Sequence, residues 1–329
     1  MFDARIRGAP TDFIVTENID FELSGDGEHD FLWIEKSGAN TAWVARQLAA
    51  HAGVVANDVG YAGLKDRHAI TSQWFSVRRP SGEGTDWAAF AAEGVRVIQI
   101  ARHHKKLRRG AHRSNSFRIA LRSPQIVEIR DEINSRLQII EKHGVPNYFG
   151  EQRFGRDGGN IAMAEAVFAG RRVKRDKRSI AISSARSLLF NAILDGRVRD
   201  ETWDQLQSGD LANLDGSGSV FAVEDLTTDL TDRCNTLDIH PTGALWGNGA
   251  PLTTGDVASA ELAAVAGHES LTGGLKSARV DASSRALRLP VRDLSLEFDD
   301  DVLWLRFSLP KGGFATVVLR EVATTSIAR

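Results

Sequence analysis

The sequence predicts an α+β protein in two parts: a strand-rich domain interrupted by a helix-rich insertion. Three observations carry this. The stretch up to Leu121 alternates short apolar strand patterns with turns, the middle carries helical spacings, and the chain ends on apolar strand patterns with too little sequence around them to form a core. An isolated hairpin is marginally stable, so those last segments return to the N-terminal sheet. The discontinuous domain is then expected over 1–144 and 288–329, and the insertion over 145–287.

TDFIVTEN (11–18) and FLWIE (31–35) read as strands, with GDGE (25–28) as turn material. NTAWVARQLAAHAG (40–53) has helical spacing at Trp43, Val44, Leu48 and Ala52 and stops at Gly53. VRVIQI (95–100) and SFRIALR (116–122) are further strands; in the second, Phe117, Ile119 and Leu121 share one face and Arg118 and Arg122 the other. A helix is expected from Gln125 to Lys142, on Ile126, Ile129, Ile133, Leu137 and Ile140, ending before Gly144 and Pro146. Helical patterns follow at 160–169 and 183–194. DVLWLRFSL (301–309) and FATVVLREV (314–322) read as two strands joined through Pro310, Lys311, Gly312 and Gly313.

The 329 residues are 42% hydrophobic and 26% charged, enough for a sizeable core. One cysteine, Cys234, excludes an intramolecular disulfide and argues against structural zinc. No apolar run reaches the roughly 18 residues of a membrane span, and the N-terminus lacks a signal-peptide layout, so a cytoplasmic protein is expected. The net charge of −2 conceals an asymmetry: residues 200–270 hold thirteen acidic residues against Arg233 alone, and the rest of the chain is correspondingly basic. One part seeks polyanions and another avoids them.

RHHKKLRRGAHR (102–113) holds six Lys or Arg, and no Asp or Glu occurs from Arg96 to Arg122. A solvated face usually mixes signs, so phosphate binding is favoured over a plain basic loop. RRVKRDKR (171–178) adds six cations in eight residues within the insertion. Two such runs suggest a large polyanion rather than a mononucleotide. His103, His104 and His112 lack metal-ligand spacing, so no metal is expected. GGLKS (273–277) lacks the preceding glycines of a phosphate loop. In GYAGLKDRHAITSQWFSV (60–77), Asp66 stands between Lys65 and Arg67, after a glycine-rich turn and before a strand. Neighbouring cations favour a carboxylate's ionised form, in which it serves as base or nucleophile; by itself, however, the motif reads first as an ordinary turn aspartate with solvated neighbours.

GYAGLKDRHAITSQWFSV resembles the central motif of the tRNA pseudouridine synthase D (TruD) family. APTDFIVTE (9–17), RHHKKLRRGAHRSNSF (102–117), VPNYFGEQRFG (145–155) and LPKGGFATVVLRE (309–321) resemble further family blocks in the family's order, together extending over nearly the whole chain. The resemblance implies a pseudouridine synthase domain on a central mixed, largely antiparallel β-sheet, with an inserted domain. It implies a cofactor-independent isomerase that converts a uridine of tRNA, usually uridine 13, to pseudouridine; a monomer is the default expectation. Asp66 falls at the catalytic aspartate, and Phe13, Asn115 and Phe314 at positions lining the uridine pocket. Arg7 stands where the family has a lysine, keeping the charge but presenting a planar fork.

Under that reading Lys65 and Arg67 hold Asp66 ionised or pair with phosphate, and Lys105, Lys106, Arg108 and Arg109 contact RNA. Phe13 and Phe314 suit stacking on an extruded base, and Asn115 reads a uracil edge. Phe117, alternating with Ile119 and Leu121, belongs to the core. Tyr61 supports the loop of Asp66, and Tyr148 a junction between domains, where Gly150 and Gly155 fit a hinge or a plain turn. Two alternatives stay open: a tRNA-binding or folding chaperone with secondary catalysis, and a phosphate-ester hydrolase, disfavoured because no clustered carboxylates accompany Asp66.

Overall fold

The computed structural model of the chain describes residues 1–79 and 84–327. It divides into two units: Met1–Leu137 with Val291–Ala315 and Val322–Arg329, and Gln138–Pro290 with Thr316–Glu321.

The chain begins with β1 (Phe2–Ile6), β2 (Phe13–Asn18), β3 (His29–Lys36), α1 (Thr41–His51), β4 (Val59–Tyr61), β5 (Ile70–Arg78), β6 (Val95–His103), β7 (Ser114–Arg122) and α2 (Arg130–His143). The middle carries β8 (Val145–Pro146), α3 (Gly159–Phe168), α4 (Arg175–Arg199), β9 (Leu211–Leu214), β10 (Val220–Ala222), α5 (Thr228–Asn235), β11 (Ile239–Leu245), α6 (Gly255–Ala264), α7 (Glu269–Ser277), β12 (Ser283–Ala286) and β13 (Arg288–Leu289). The chain closes with β14 (Arg292–Asp299), β15 (Val302–Pro310), α8 (Ala315–Val322) and β16 (Ala323–Ile327).

The first unit is built on a ten-stranded sheet of order β14-β15-β7-β2-β5-β3-β6, with β1 between β7 and β16, and β4 on β5. β2–β5 and β1–β16 are parallel, and the other pairs antiparallel. The sheet is therefore mixed and largely antiparallel. Alternation sets the faces: Leu32 and Ile34 of β3, with Phe75 and Val77 of β5, bury against Val44, Ala45, Leu48 and Ala49 of α1. Their i, i+4 spacing on α1 gives that helix one apolar stripe. On β7, Ile119 and Leu121 are buried, and Phe117 stacks on Phe307 of β15 at 5.3 Å between centroids.

β15 pairs with β7 from Val302↔Arg122 to Pro310↔Ser114, so the predicted return of the chain's end to the N-terminal sheet holds for this strand. The strand predicted over 314–322 is a helix. Ala315, Val318, Leu319 and Val322 are all buried, the spacing of one helical face, and this pattern outweighs the strand preference of the paired valines. The returning strand is β16, which runs parallel to β1 from Phe2↔Ala323 onward. The helix predicted from Gln125 opens as a 3-10 turn, Pro124–Val127, before α2.

In the second unit, the block VPNYFGEQRFG (145–155) is wired to α4. Asn191 accepts from the Phe149 N–H at 2.9 Å and donates to the Phe149 carbonyl at 3.0 Å, while the Tyr148 hydroxyl donates to Asp195 at 2.6 Å. Burial and the Asp195 hydrogen bond push the Tyr148 phenol upward. Ser184 and Asn160 both donate to the Arg153 carbonyl. Two acidic residues of the 200–270 stretch are structural. Asp210 pairs with buried Arg197 at 2.9 Å, and Glu261 accepts from the Ala244 N–H and the Thr253 hydroxyl.

Replacing Asn191 with Ala removes both hydrogen bonds to Phe149. The expected loss is about 2 kcal/mol at about 1 kcal/mol per bond, read as a lowered urea midpoint. An unchanged midpoint would show that the block does not depend on α4.

Candidate active site

Lys65, Asp66 and Arg67 lie on the connection from β4 to β5, and the β3–α1 turn grips all three through the main chain. The Lys65 N–H donates to the Thr41 hydroxyl at 3.0 Å, and the Gly38 N–H donates to the Arg67 carbonyl at 2.8 Å. Lys36 Nζ donates to the carbonyls of Asp66 at 3.0 Å, Lys65 at 3.4 Å and Ala39 at 2.9 Å. Thr41 itself donates to Gln73, whose amide donates to the Gly63 carbonyl. Asp66 Oδ1 accepts from the His68 N–H at 3.0 Å, and Oδ2 meets Arg7 Nη2 at 2.8 Å. The cation on Asp66 is thus Arg7, while Arg67 is exposed and makes no ion pair among the described residues.

Arg7 adopts a left-handed backbone, φ 62°, which costs a non-glycine residue about 1–2 kcal/mol. Several contacts hold it there. Its guanidinium lies over the Phe13 ring, 4.5 Å from the centroid. The turn that follows is fixed by buried Asp12, which accepts from the Ala9 N–H at 3.0 Å and from Arg122 of β7 through two bonds of 2.8 and 3.2 Å. Hydrogen bonding to Arg122 holds the Asp12 carboxyl below its usual range. A Cβ on Gly8 would stand 3.0 Å from Asp12 Oδ2, a tight approach to which the carboxylate would have to give way.

Lys65 points away from Asp66, to Glu17 Oε2 at 2.6 Å, and both side chains are nearly sealed from solvent. Burial pushes the Glu17 carboxyl up, against the opposing pull of Lys65. His112 completes this cluster: a Cβ on Gly63 would lie 3.2 Å from Lys65 Nζ, 3.4 Å from His112 Cε1 and 3.7 Å from Glu17 Oε2. Burial first, then Lys65 and Lys311, press His112 down to about 4, so its ring is neutral at working pH. Asn115 pairs with Glu17 across the β2–β7 ladder, and its buried Oδ1 has no partner among the described residues.

The family model described as tRNA pseudouridine synthase D (TruD) matches residues 2–171 and 160–322. The chain is 46% identical to the tRNA pseudouridine synthase D of Methylococcus capsulatus over 97% of this chain and 90% of that one. It is 43% identical to that of Aeromonas salmonicida over 96% and 90%. The chain belongs to the tRNA pseudouridine synthase D (TruD) family. A crystal structure titled putative tRNA pseudouridine synthase D, from Methanosarcina mazei, shares the fold at a TM-score of 0.74 and 19% identity, covering 98% of this chain and 93% of that one.

Of the residues the TruD resemblance picks out, the fold brings Asp66, Arg7 and Phe13 into one contact chain, with Asn115 one strand away. Phe13 is 4% exposed, covered by Arg7 and met edge-on by Phe117 at 6.4 Å, so its ring forms the seat of the arginine beside Asp66. Phe314 is 36% exposed and directly precedes α8. It follows a turn whose Lys311 N–H donates to the Arg113 carbonyl.

The basic run forms the β6–β7 connection. Buried Leu107 pins it, its N–H donating to Ser76 at 2.9 Å, and the Gly110 N–H donates to the Ala62 carbonyl. Gly60 is needed beneath it, since a Cβ would meet the Leu107 carbonyl at 2.3 Å. Lys105 and Arg108 are exposed, Lys106 donates to the Asn57 carbonyl, and Arg109 lies 3.6 Å over the Tyr61 ring. Lys36, Glu17, Thr41, Gln73 and His112 were given no role by sequence reasoning. Lys36 had a signal: it shares the inward register of Leu32 and Ile34. Among the described residues, no group of three or more His, Cys, Asp or Glu is placed to hold a metal ion, and no helix is long and apolar enough to cross a membrane.

Lys65→Met leaves Glu17 buried without its counter-charge. The expected cost at neutral pH is about 3 kcal/mol. Without Lys65 the Glu17 carboxyl is raised further above its unfolded value, so the protonated form favours folding and the deficit shrinks as the pH falls through that raised range. Urea unfolding at neutral and mildly acidic pH checks this. A deficit that grows on acidification would contradict the pairing.

Proposed function

We propose that the chain isomerises uridine 13 of tRNA to pseudouridine, with Asp66 as the catalytic carboxylate. Family membership supports an isomerase acting on a tRNA uridine, and the observation that carries the residue assignment is the Arg7–Asp66 pair at 2.8 Å on a backbone fixed from three sides. The reaction breaks the bond between C1′ and N1, turns the base and rejoins it through C5. It has no net redox change and uses no cofactor. A carboxylate positioned by one guanidinium serves either route to bond cleavage, as nucleophile toward the nucleoside or as base toward a sugar proton.

The remaining roles follow from what each group has free. Asn115 Oδ1 is a buried acceptor awaiting a donor, and the uracil N3–H is one. Phe314, partly exposed, suits stacking on the extruded base, worth about 1–3 kcal/mol. That offsets part of the few kcal/mol that extrusion costs. The exposed cations of 102–113 and 171–178 meet phosphates. RRVKRDKR reaches into the first turn of α4, where cations oppose the helix dipole and a bound anion relieves them.

Pseudouridine mapping on an unmodified tRNA transcript tests the proposal. Wild type is expected to convert one uridine, at position 13, and Asp66→Asn to lose more than about a thousandfold in rate while still binding. Conversion by Asp66→Asn at the wild-type rate would overturn the assignment; binding without conversion by wild type would favour the chaperone reading. If about six phosphates are neutralised, affinity falls on the order of a thousandfold between roughly 50 and 200 mM salt. A nearly flat response would remove the two basic runs from RNA binding.

A further inference from the structure

Lys36 ends β3 with 1% of its surface exposed, and among the described residues no other lysine is so buried. Burying an ammonium is costly unless its N–H bonds are satisfied. All three are used here, and every acceptor is a main-chain carbonyl: Ala39 before α1, and Lys65 and Asp66 on the motif loop. Two successive carbonyls aimed at one point repel each other, so this bend of the loop needs a positive group at its focus. An apolar side chain would fill the same volume without supplying it.

We infer that Lys36 is a positioning residue for the isomerisation: its ammonium fixes the main chain of Asp66, so that the carboxylate stays on Arg7 and faces the reacting nucleoside. This rests on the reading of Asp66 as the catalytic carboxylate. The charged groups around Lys36 come from the loop, Asp66 favouring its cationic form and Lys65 opposing it. Its ladder neighbours on β5 and β6 are Thr71 and Val95, and the nearest residue of α1 in this network is Thr41; none of these titrates near neutrality. Burial presses Lys36 down to about 8. The ammonium that serves three carbonyls is therefore present below that pH and lost as the pH rises through it.

The test compares single-turnover pseudouridine formation at saturating tRNA by wild type, Lys36→Met and Lys36→Gln from about pH 6.5 to about pH 9, with tRNA affinity measured on each protein. Lys36→Met is expected to lose on the order of a hundredfold in rate, the scale of a small misplacement of a reacting group, with affinity changed less than about threefold. Lys36→Gln, which retains two N–H donors, is expected to fall between Met and wild type. The wild-type rate should decline above about pH 8, and neither variant should show that decline. A Lys36→Met protein with the wild-type rate and the wild-type alkaline decline would overturn the inference. Should Lys36→Met not fold, a wild-type rate flat to about pH 9, or a Lys36→Gln protein with an unchanged alkaline decline, would overturn it equally. Failure of the Asp66 reading is seen separately, as full activity of Asp66→Asn with Lys36 intact.

Discussion

The ion pair between Arg7 and Asp66 is the contact on which the rest of the site depends. It joins the turn between β1 and β2 to the loop between β4 and β5, the two connections that lead into the parallel neighbours β2 and β5. Each side is braced independently. Arg122 on β7 holds Asp12, Asp12 holds the Ala9 N–H, and the resulting turn keeps Arg7 in a left-handed conformation over Phe13. On the other side, the β3–α1 turn holds Lys65, Asp66 and Arg67 through their own N–H and carbonyl groups. The pair thus joins two connections that are each braced by their own hydrogen bonds, and under the proposed assignment this bracing positions the reacting carboxylate.

The sheet order makes this possible. β2 lies between β7 and β5, so Phe13, at the start of β2, is flanked by the strand that carries Arg122 and the strand that follows Asp66. The same neighbourhood sets Glu17 beside Asn115 and within reach of Lys65. Two buried or half-buried ion pairs thereby sit side by side, with consecutive residues, Lys65 and Asp66, turned to different partners. The flanking lysine is consumed by Glu17, and the charge on Asp66 is met from elsewhere in the chain.

Much of the fold was legible in the sequence. Strand patterns located β2, β3, β6, β7 and β15, and helical patterns located α1, α2 beyond its opening turn, α3 and the middle of α4. Residues 314–322 were misread because Val317 and Val318 favour strands locally while the burial of Ala315, Val318, Leu319 and Val322 follows a helix. Asp66 stood out through its motif. Arg7 stood out through the resemblance, but its pairing did not, since nothing in local spacing states that an arginine before Gly8 folds onto residue 66. Lys36 was readable only as a lysine on an inward register, an oddity whose meaning depends on the carbonyls that the loop presents to it. Phe13 shows the converse: its position pointed to the site, but only the packing reveals that the ring lies beneath Arg7.

Exchange of Arg7 tests this account most directly. Single-turnover rates at saturating tRNA should fall by on the order of a hundredfold or more for Arg7→Met, with tRNA affinity little changed, and Arg7→Lys should recover a substantial part of the loss by restoring a cation beside Asp66. An Arg7→Met protein that converts its uridine at the wild-type rate would contradict the claim that this ion pair organises the site.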